Sequence, residues 1–270
     1  MNMYSVLNEF QLLRVSDRHS ISFLDGCDRS QPILALIWPQ LGDFDTMEYA
    51  WWIKRDRAKL TAANIQVRAI AIGDLAAGQK FCAYTGFPPK HLFVDPTASV
   101  HQKLELYPGL NASLPGLSAA QKGYLNLLMM CAGIGSPGTL KEVFRGYLGD
   151  KSAPQLIADD EVVKATPLPA IKGETFKTAG GKGFQRPFEL ATLRLRNMAE
   201  VLSNWKTYVP DAAYLTQRGA TFLFGPGEEL LYEWRDRNIL GFAENMSNPL
   251  AFLENYVPAY GQENEKAIAS

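Results

Sequence analysis

The side chains in this sequence that could act as nucleophiles or metal ligands are few. Three cysteines, Cys27, Cys82 and Cys131, lie far apart and form no CxxC pair. His19, His91 and His101 stand at no metal-ligand spacing from them. A zinc site, a disulfide framework and a vicinal dithiol are therefore unexpected, no metal or cofactor is implied, and so few thiols suit a reducing, cytoplasm-like compartment. Cys82, beside Lys80 and Tyr84, is the best candidate for a reactive thiol. It falls in the C-terminal half of an expected helix, where the dipole disfavours thiolate, and the alternative is a small buried hydrophobe. Cys131 ends an apolar helix and invites the same core reading. Cys27, in Asp25-Gly-Cys-Asp28, is expected at the surface with two carboxylates raising its pKa. His91 and His101 flank a short strand and read as structural.

A second set of chemical groups clusters in Pro39-Gln-Leu-Gly-Asp-Phe-Asp-Thr46. This polar turn, including Gly42, joins an apolar strand to a helix. A helix N-terminus offers unpaired N–H groups and the positive end of the dipole, which suits an anion. The residues placed there are Asp43, Asp45 and Thr46, with no thiol among them. A threonine hydroxyl is far too weak an acid to serve as nucleophile without a strong base. Arg218, or the pair Arg235 and Arg237, could pair with Asp43 or Asp45 or bind an anionic ligand; structural salt bridging is the alternative. In the helix, Ala50, Ile53 and Leu60 can make the inner stripe, leaving Trp52 and Tyr49 on another face. They are covered by the segment inserted at roughly 108–185 or form a protein-binding surface beside the turn.

The elements that must position these residues follow from periodicity. Residues 10–24 alternate loosely, as in a short hairpin. Ile33–Trp38 is a continuous apolar run, the pattern of a strand covered on both faces. Asp45 with Glu48 resembles a capping box for the next helix. Gln66–Ile72 reads as a strand, Asp74 as the cap of a helix that stops before Gly86-Phe-Pro-Pro89, and Leu92–Asp95 as a third strand before a helix over Ser99–Leu106. This alternation predicts parallel strands with right-handed crossovers. Residues 108–185 break the rhythm with helices over Ser118–Cys131 and Thr139–Leu148, the latter with a Thr139–Glu142 capping box, and a long surface excursion over Ser152–Lys182. Phe188, Ala191, Leu195, Met198, Leu202 and Trp205 then step by three and four, the strongest helical stripe in the chain. Thr221–Phe224 and Leu230–Trp234 flank a Gly-Pro-Gly turn and predict a hairpin. Asn248-Pro249 predicts the start of a last helix that buries Leu250, Leu253 and Val257.

One motif points elsewhere and is outweighed. Gly133-Ile-Gly-Ser-Pro-Gly138 is a literal GxGxxG, but a dinucleotide site needs a strand before it, and Leu125–Met130 reads as part of a helix that a Ser118–Gln121 capping box opens. A formal net charge of −1 on 270 residues gives no electrostatic case for nucleic acid. The N-terminus lacks the pattern of a signal peptide, and no apolar run reaches membrane-spanning length. Leu127, Leu128, Met129 and Met130 offer an apolar surface for docking on a membrane protein.

Four segments carry a family resemblance: Pro39 to Trp52, Gly78-Gln-Lys-Phe-Cys-Ala-Tyr-Thr-Gly-Phe-Pro88, Gly181-Lys-Gly-Phe-Gln-Arg-Pro-Phe-Glu-Leu190 and Gln217-Arg-Gly-Ala-Thr-Phe222. They resemble the peroxiredoxin-like (AhpC/TSA antioxidant) family of the thioredoxin superfamily, in its cyanobacterial and chloroplast branch, over most of the chain. The resemblance implies an α/β, thioredoxin-like fold, a central mixed sheet flanked by helices, as one domain over 1–270 with a helical and loop insertion at roughly 108–185. It also implies antioxidant thiol chemistry, in a cyanobacterial cytoplasm or stroma-like compartment. Peroxiredoxins carry their attacking cysteine in a Pro-x-x-x-Thr/Ser-x-x-Cys turn. Counted from Pro39, those positions hold Asp43 and Thr46. Ala220 stands where thioredoxins place a cis-proline facing the turn. Two functions follow as expectations. One is a non-catalytic binding or assembly factor with a protein partner, the candidate being a photosynthetic membrane complex at the thylakoid periphery. The other is a thiol-dependent oxidoreductase acting through Cys82 or a partner's thiol.

Overall fold

The computed structural model describes residues 2–261, so the domain expected over 1–270 extends outside the described residues at both ends. Helix α1 (Met3–Asn8), capped by the Asn2 side chain, leads into the expected hairpin, β1 (Gln11–Arg14) with β2 (Ser20–Ser22). Strand β3 (Ile33–Gln40) is buried at every position and runs two residues beyond the expected Trp38. Leu34, Leu36 and Trp38 enter one core, while Ile33, Ala35 and Ile37 enter the other. That two-sided burial is why the run is continuously apolar rather than alternating.

The crossover half follows: α2 (Phe44–Arg55), α3 (Arg57–Ala62), β4 (Gln66–Ile72), α4 (Leu75–Thr85), β5 (Leu92–Val94) and α5 (Ser99–Lys103). Asp74 caps α4 by accepting from the Ala77 N–H, and Gly86 ends it in the left-handed region at φ 74°. Strands β3, β4 and β5 are parallel. The α5 helix ends three residues before the expected Leu106.

Helices α6 (Ala119–Cys131) and α7 (Thr139–Leu148) are joined through the GxGxxG, where Gly133 and Gly135 take φ of 90° and 68°. The motif is a helix–helix turn. The expected Ser118–Gln121 capping box forms, but the Thr139–Glu142 box does not. The Thr139 hydroxyl donates instead to the Ile239 carbonyl at 2.8 Å, and Glu142 takes Arg145. Ser152–Lys182 is more ordered than a surface excursion. It holds a ribbon of β6 (Val162–Val163) and β7 (Ile171–Lys172) and buries Leu156, Ile157, Val163 and Phe176. Buried Arg186 anchors it by donating to the Ile157 carbonyl, Asp159 and Glu189.

Helix α8 (Glu189–Ser203) buries Leu190, Leu193 and Val201. Its sequence stripe does not face the core. Phe188, Ala191, Leu195 and Met198 line an open apolar groove of about 280 Å³ against Val143 and Tyr147 of α7, and Leu202 is 60% exposed. Buried Thr192 and Asn197 give the core-facing side a polar content that masks it in the sequence. After α9 (Trp205–Tyr208), the expected hairpin forms from β8 (Ala220–Phe224) and β9 (Leu230–Arg235). The helix expected after Asn248-Pro249 is α10 (Phe252–Tyr256), which starts three residues after Pro249; Leu253 within it and Leu250 and Val257 beside it are buried.

The sheet order is β2-β1-β5-β4-β3-β8-β9, with β8 antiparallel to β3. A seven-stranded mixed sheet flanked by helices is the thioredoxin-like architecture that the resemblance implies. Among the described residues no helix is long and apolar enough to cross a membrane.

Candidate functional site

The C-terminal end of β3 delivers the turn. The Leu41 N–H donates to the Ile72 carbonyl at 3.1 Å, prolonging the pairing with β4, and the Asp43 N–H donates to the Gln40 carbonyl at 2.9 Å. Gly42 is required by packing: a Cβ there would stand 2.9 Å from the Tyr208 Cβ. The cap of α2 is Asp43, which accepts from the Asp45 N–H at 2.9 Å. The expected Asp45–Glu48 box is absent because both side chains are committed elsewhere, Glu48 to Arg194 and Asp45 to Arg218. The Thr46 hydroxyl is fully buried and donates to the Gln40 carbonyl at 3.0 Å, so it ties the turn to the strand.

Arg218, just before β8, brings the turn together. Its Nη1 lies 3.0 Å from Asp45 Oδ2, its Nη2 binds Asp43, and its Nε donates to the Thr216 carbonyl. Burial works against the guanidinium charge, but Asp43 and Asp45 hold its pKa above the ordinary value. Asp45 Oδ1 accepts from the Leu240 N–H at 2.7 Å. Burial, with Asp43 next to it, pushes the Asp45 carboxyl up, and Arg218 opposes this. A third acid, Asp236, accepts from the Gly219 N–H at 3.2 Å, and its other oxygen is buried with no partner among the described residues. Burial raises its pKa to about 7. Asp43 and Asp45 on one guanidinium thus leave little positive potential for a thiolate or a peroxide.

Helix α6 closes the turn from outside. Leu127, Met130 and Cys131 pack with Phe44, Ile239 and Leu240, leaving a space of about 40 Å³ beside Asp43. Cys131 therefore lies near the cluster, but burial first, then Asp43, raises its thiol pKa. The apolar surface expected over Leu127–Met130 is divided: Leu128 is 68% exposed, whereas Met130 is fully buried.

The remaining candidates lie apart from this cluster. Cys82 is buried, and desolvation drives its pKa to about 12. Lys80 pairs with Glu200 and Tyr84 donates to Asn197, so neither serves the sulfur. Cys27 is half-buried rather than at the surface, and burial raises its pKa more than Asp25 does. Trp52 is only 3% exposed, which removes it as a contact surface; it packs in the main core, with Arg55 over its ring. Arg235 donates to Glu233 and the Leu104 carbonyl, and Arg237 is exposed, so neither meets Asp43 or Asp45. The Gly219–Ala220 peptide is trans. His101 is buried with Nε2 3.0 Å from the Trp38 carbonyl, and burial lowers its pKa to about 4, in keeping with a structural role.

Sequence reasoning missed Asp236. Its signal is weak: a single acid just past β9, adjacent to the Arg235 and Arg237 that were weighed in its stead.

A family model described as AhpC/TSA antioxidant enzyme matches residues 52–238. The matched span contains Arg218 and Asp236 and begins after Asp43, Asp45 and Thr46. Comparison with curated proteins gives no match.

Proposed function

The chain belongs to the AhpC/TSA antioxidant enzyme family, whose thioredoxin-type fold is associated with redox chemistry, and from that premise we propose that it is a non-catalytic member serving as a binding or assembly factor. The observation that carries this reading is the Arg218 cluster. In a peroxidase turn the arginine stabilises a thiolate; here Asp43 and Asp45 consume its charge, and Thr46 supplies no sulfur. All three cysteines have pKa values raised by burial. The exposed Phe144, Leu148 and Leu202 favour a protein partner. A photosynthetic membrane complex, in a cyanobacterial or chloroplast setting, is the partner the resemblance favours.

The competing reading is thiol-dependent reduction through Cys82 or a partner's thiol, and family membership is what favours it. Purified protein with hydrogen peroxide, thioredoxin, thioredoxin reductase and NADPH separates the two. The binding reading expects NADPH oxidation at the protein-free rate. Turnover that disappears in Cys82→Ser would sink it.

A further inference from the structure

At the end of the sheet opposite the turn, Arg57, Arg68 and Lys90 line one concavity of about 710 Å³. Arg57 opens α3, Arg68 is the third residue of β4, and Lys90 lies in the short turn before β5. Among the described residues none of the three has a carboxylate within ion-pair distance. Their situation differs from that of Arg145, Arg186, Arg194 and Arg218, each tied to acids. Arg57 spends one N–H on the Gly86 carbonyl at 2.8 Å. Arg68 makes two long contacts, 3.4 Å each, to the Val67 and Asp25 carbonyls, and its Nε is buried with no acceptor. A guanidinium has five N–H donors in a planar fork, and an unmet buried donor is costly. Donor capacity at this spot therefore goes unused among the described residues.

The surroundings do little to offset the charge. Arg14 also lines the concavity, but Asp17 neutralises it. Asp28 is the acid in the lining; the Ser30 N–H and hydroxyl hold it ionised, so it sets one negative charge against Arg57, Arg68 and Lys90. His91 reports the local potential: burial first, then Arg68, Lys90 and Arg57, lower its pKa to about 4. Beneath the cations the buried side chains Leu60, Val67 and Phe87 reach the concavity by their edges, among the polar Thr61, Asn64 and Gln66.

We propose that this concavity binds an organic phosphate, its phosphoryl group held by Arg57, Arg68 and Lys90 and its apolar or ring portion laid against Leu60, Val67 and Phe87. Arginine forks match phosphate oxygens in pairs, and a lysine adds a point charge. The site lies away from the Arg218 cluster and does not depend on the binding-factor reading.

Phenyl phosphate, inorganic phosphate and phenol serve as probes in calorimetric titrations of the full chain at low salt. Phenyl phosphate is expected to bind, inorganic phosphate more weakly, and phenol not detectably. The Arg57→Gln/Lys90→Gln variant is expected to weaken phenyl phosphate at least about tenfold. Because Arg57 also bonds the Gly86 carbonyl, Lys90→Gln alone, with an unchanged melting curve, is the control for folding and is expected to weaken binding in the same direction. Bound phosphate is also expected to raise the His91 pKa followed by NMR, since an anion offsets the three cations. Absence of binding by the wild type, or equal binding by the variants, overturns the proposal. So does a His91 titration indifferent to phosphate.

Discussion

Arg218 Nη1 and Asp45 Oδ2 meet at 3.0 Å across 173 residues of sequence, and neither side chain is exposed to solvent. The pair fastens the start of α2 to the start of β8, the two elements that frame a thioredoxin-type active site. A buried pair of this kind is costly to break on one side, because the charge left behind is unpaired. Arg218→Met strands Asp43 and Asp45 and is expected to lose about 3–5 kcal/mol. Asp45→Asn keeps an acceptor for the Leu240 N–H and relieves repulsion with Asp43, so its expected loss is well under half of that. Urea denaturation of both variants measures the difference. Equal losses would show that the carboxylate repulsion is unimportant.

Asp236 gives the fold a pH dependence whose sign can be worked out. Its folded pKa is about 7, above the roughly 3.9 of an unfolded aspartate. Between those values the folded state holds a proton that the unfolded state has released. Its contribution is therefore complete below about pH 4 and is lost as pH rises through about 7. His91 and His101, both lowered to about 4, act in the opposite direction over much of the same range. The total curve mixes these terms, so the informative quantity is wild type minus Asp236→Asn. That difference is expected to fall by an amount on the order of a few kcal/mol from pH 4 to 7. A flat difference would mean that Asp236 is ionised throughout.

The thiols offer a simpler check. With Cys82 at a pKa of about 12, its thiolate is scarce at neutral pH, and the sulfur is buried as well. Native protein treated with a thiol-reactive disulfide dye is expected to label Cys82 far more slowly than free cysteine, at least about a hundredfold. Labelling should become complete in guanidinium. Fast native labelling mapped to Cys82 by mass spectrometry would contradict the burial seen here.

How much of this was legible in the sequence depends on the range of each interaction. The run Ile33–Trp38 and the parallel crossovers were readable because a two-sided strand is marked by its own residues. The Ser118–Gln121 box was readable for the same local reason, whereas the Thr139–Glu142 box failed because Thr139 is claimed by Ile239, 100 residues away. The stripe from Phe188 to Trp205 gave a helix but not where its apolar face packs, because periodicity does not say whether such a face meets the core or a groove. At the site, the absence of a nucleophile was visible in Asp43 and Thr46. Arg218 was one of three arginines considered, and only the register of β8 against β3 selects it. Asp236 enters through the Gly219 N–H, a contact with no local pattern.

The absence of a thiol from the turn raises the question of whether restoring it would suffice. Thr46→Cys puts sulfur at the position that the family motif assigns to the attacking cysteine. The new thiol would nonetheless sit where the Thr46 side chain is fully buried, next to the Gln40 carbonyl, with Arg218 already bound to Asp43 and Asp45. Burial raises a thiol pKa, and an arginine already neutralised by carboxylates does not lower it. The single variant is therefore expected to consume peroxide no faster than wild type. Adding Asp43→Thr changes two things at once: threonine can still cap α2, and one carboxylate is withdrawn from Arg218. The double variant is expected to show a lower thiol pKa in pH-dependent alkylation and faster sulfenic acid formation than Thr46→Cys alone, with thiolate population rising by up to about tenfold for each unit by which the pKa falls. If Thr46→Cys alone reacts as fast as the double variant, the carboxylates are not what silences this turn, and the missing sulfur is the whole explanation.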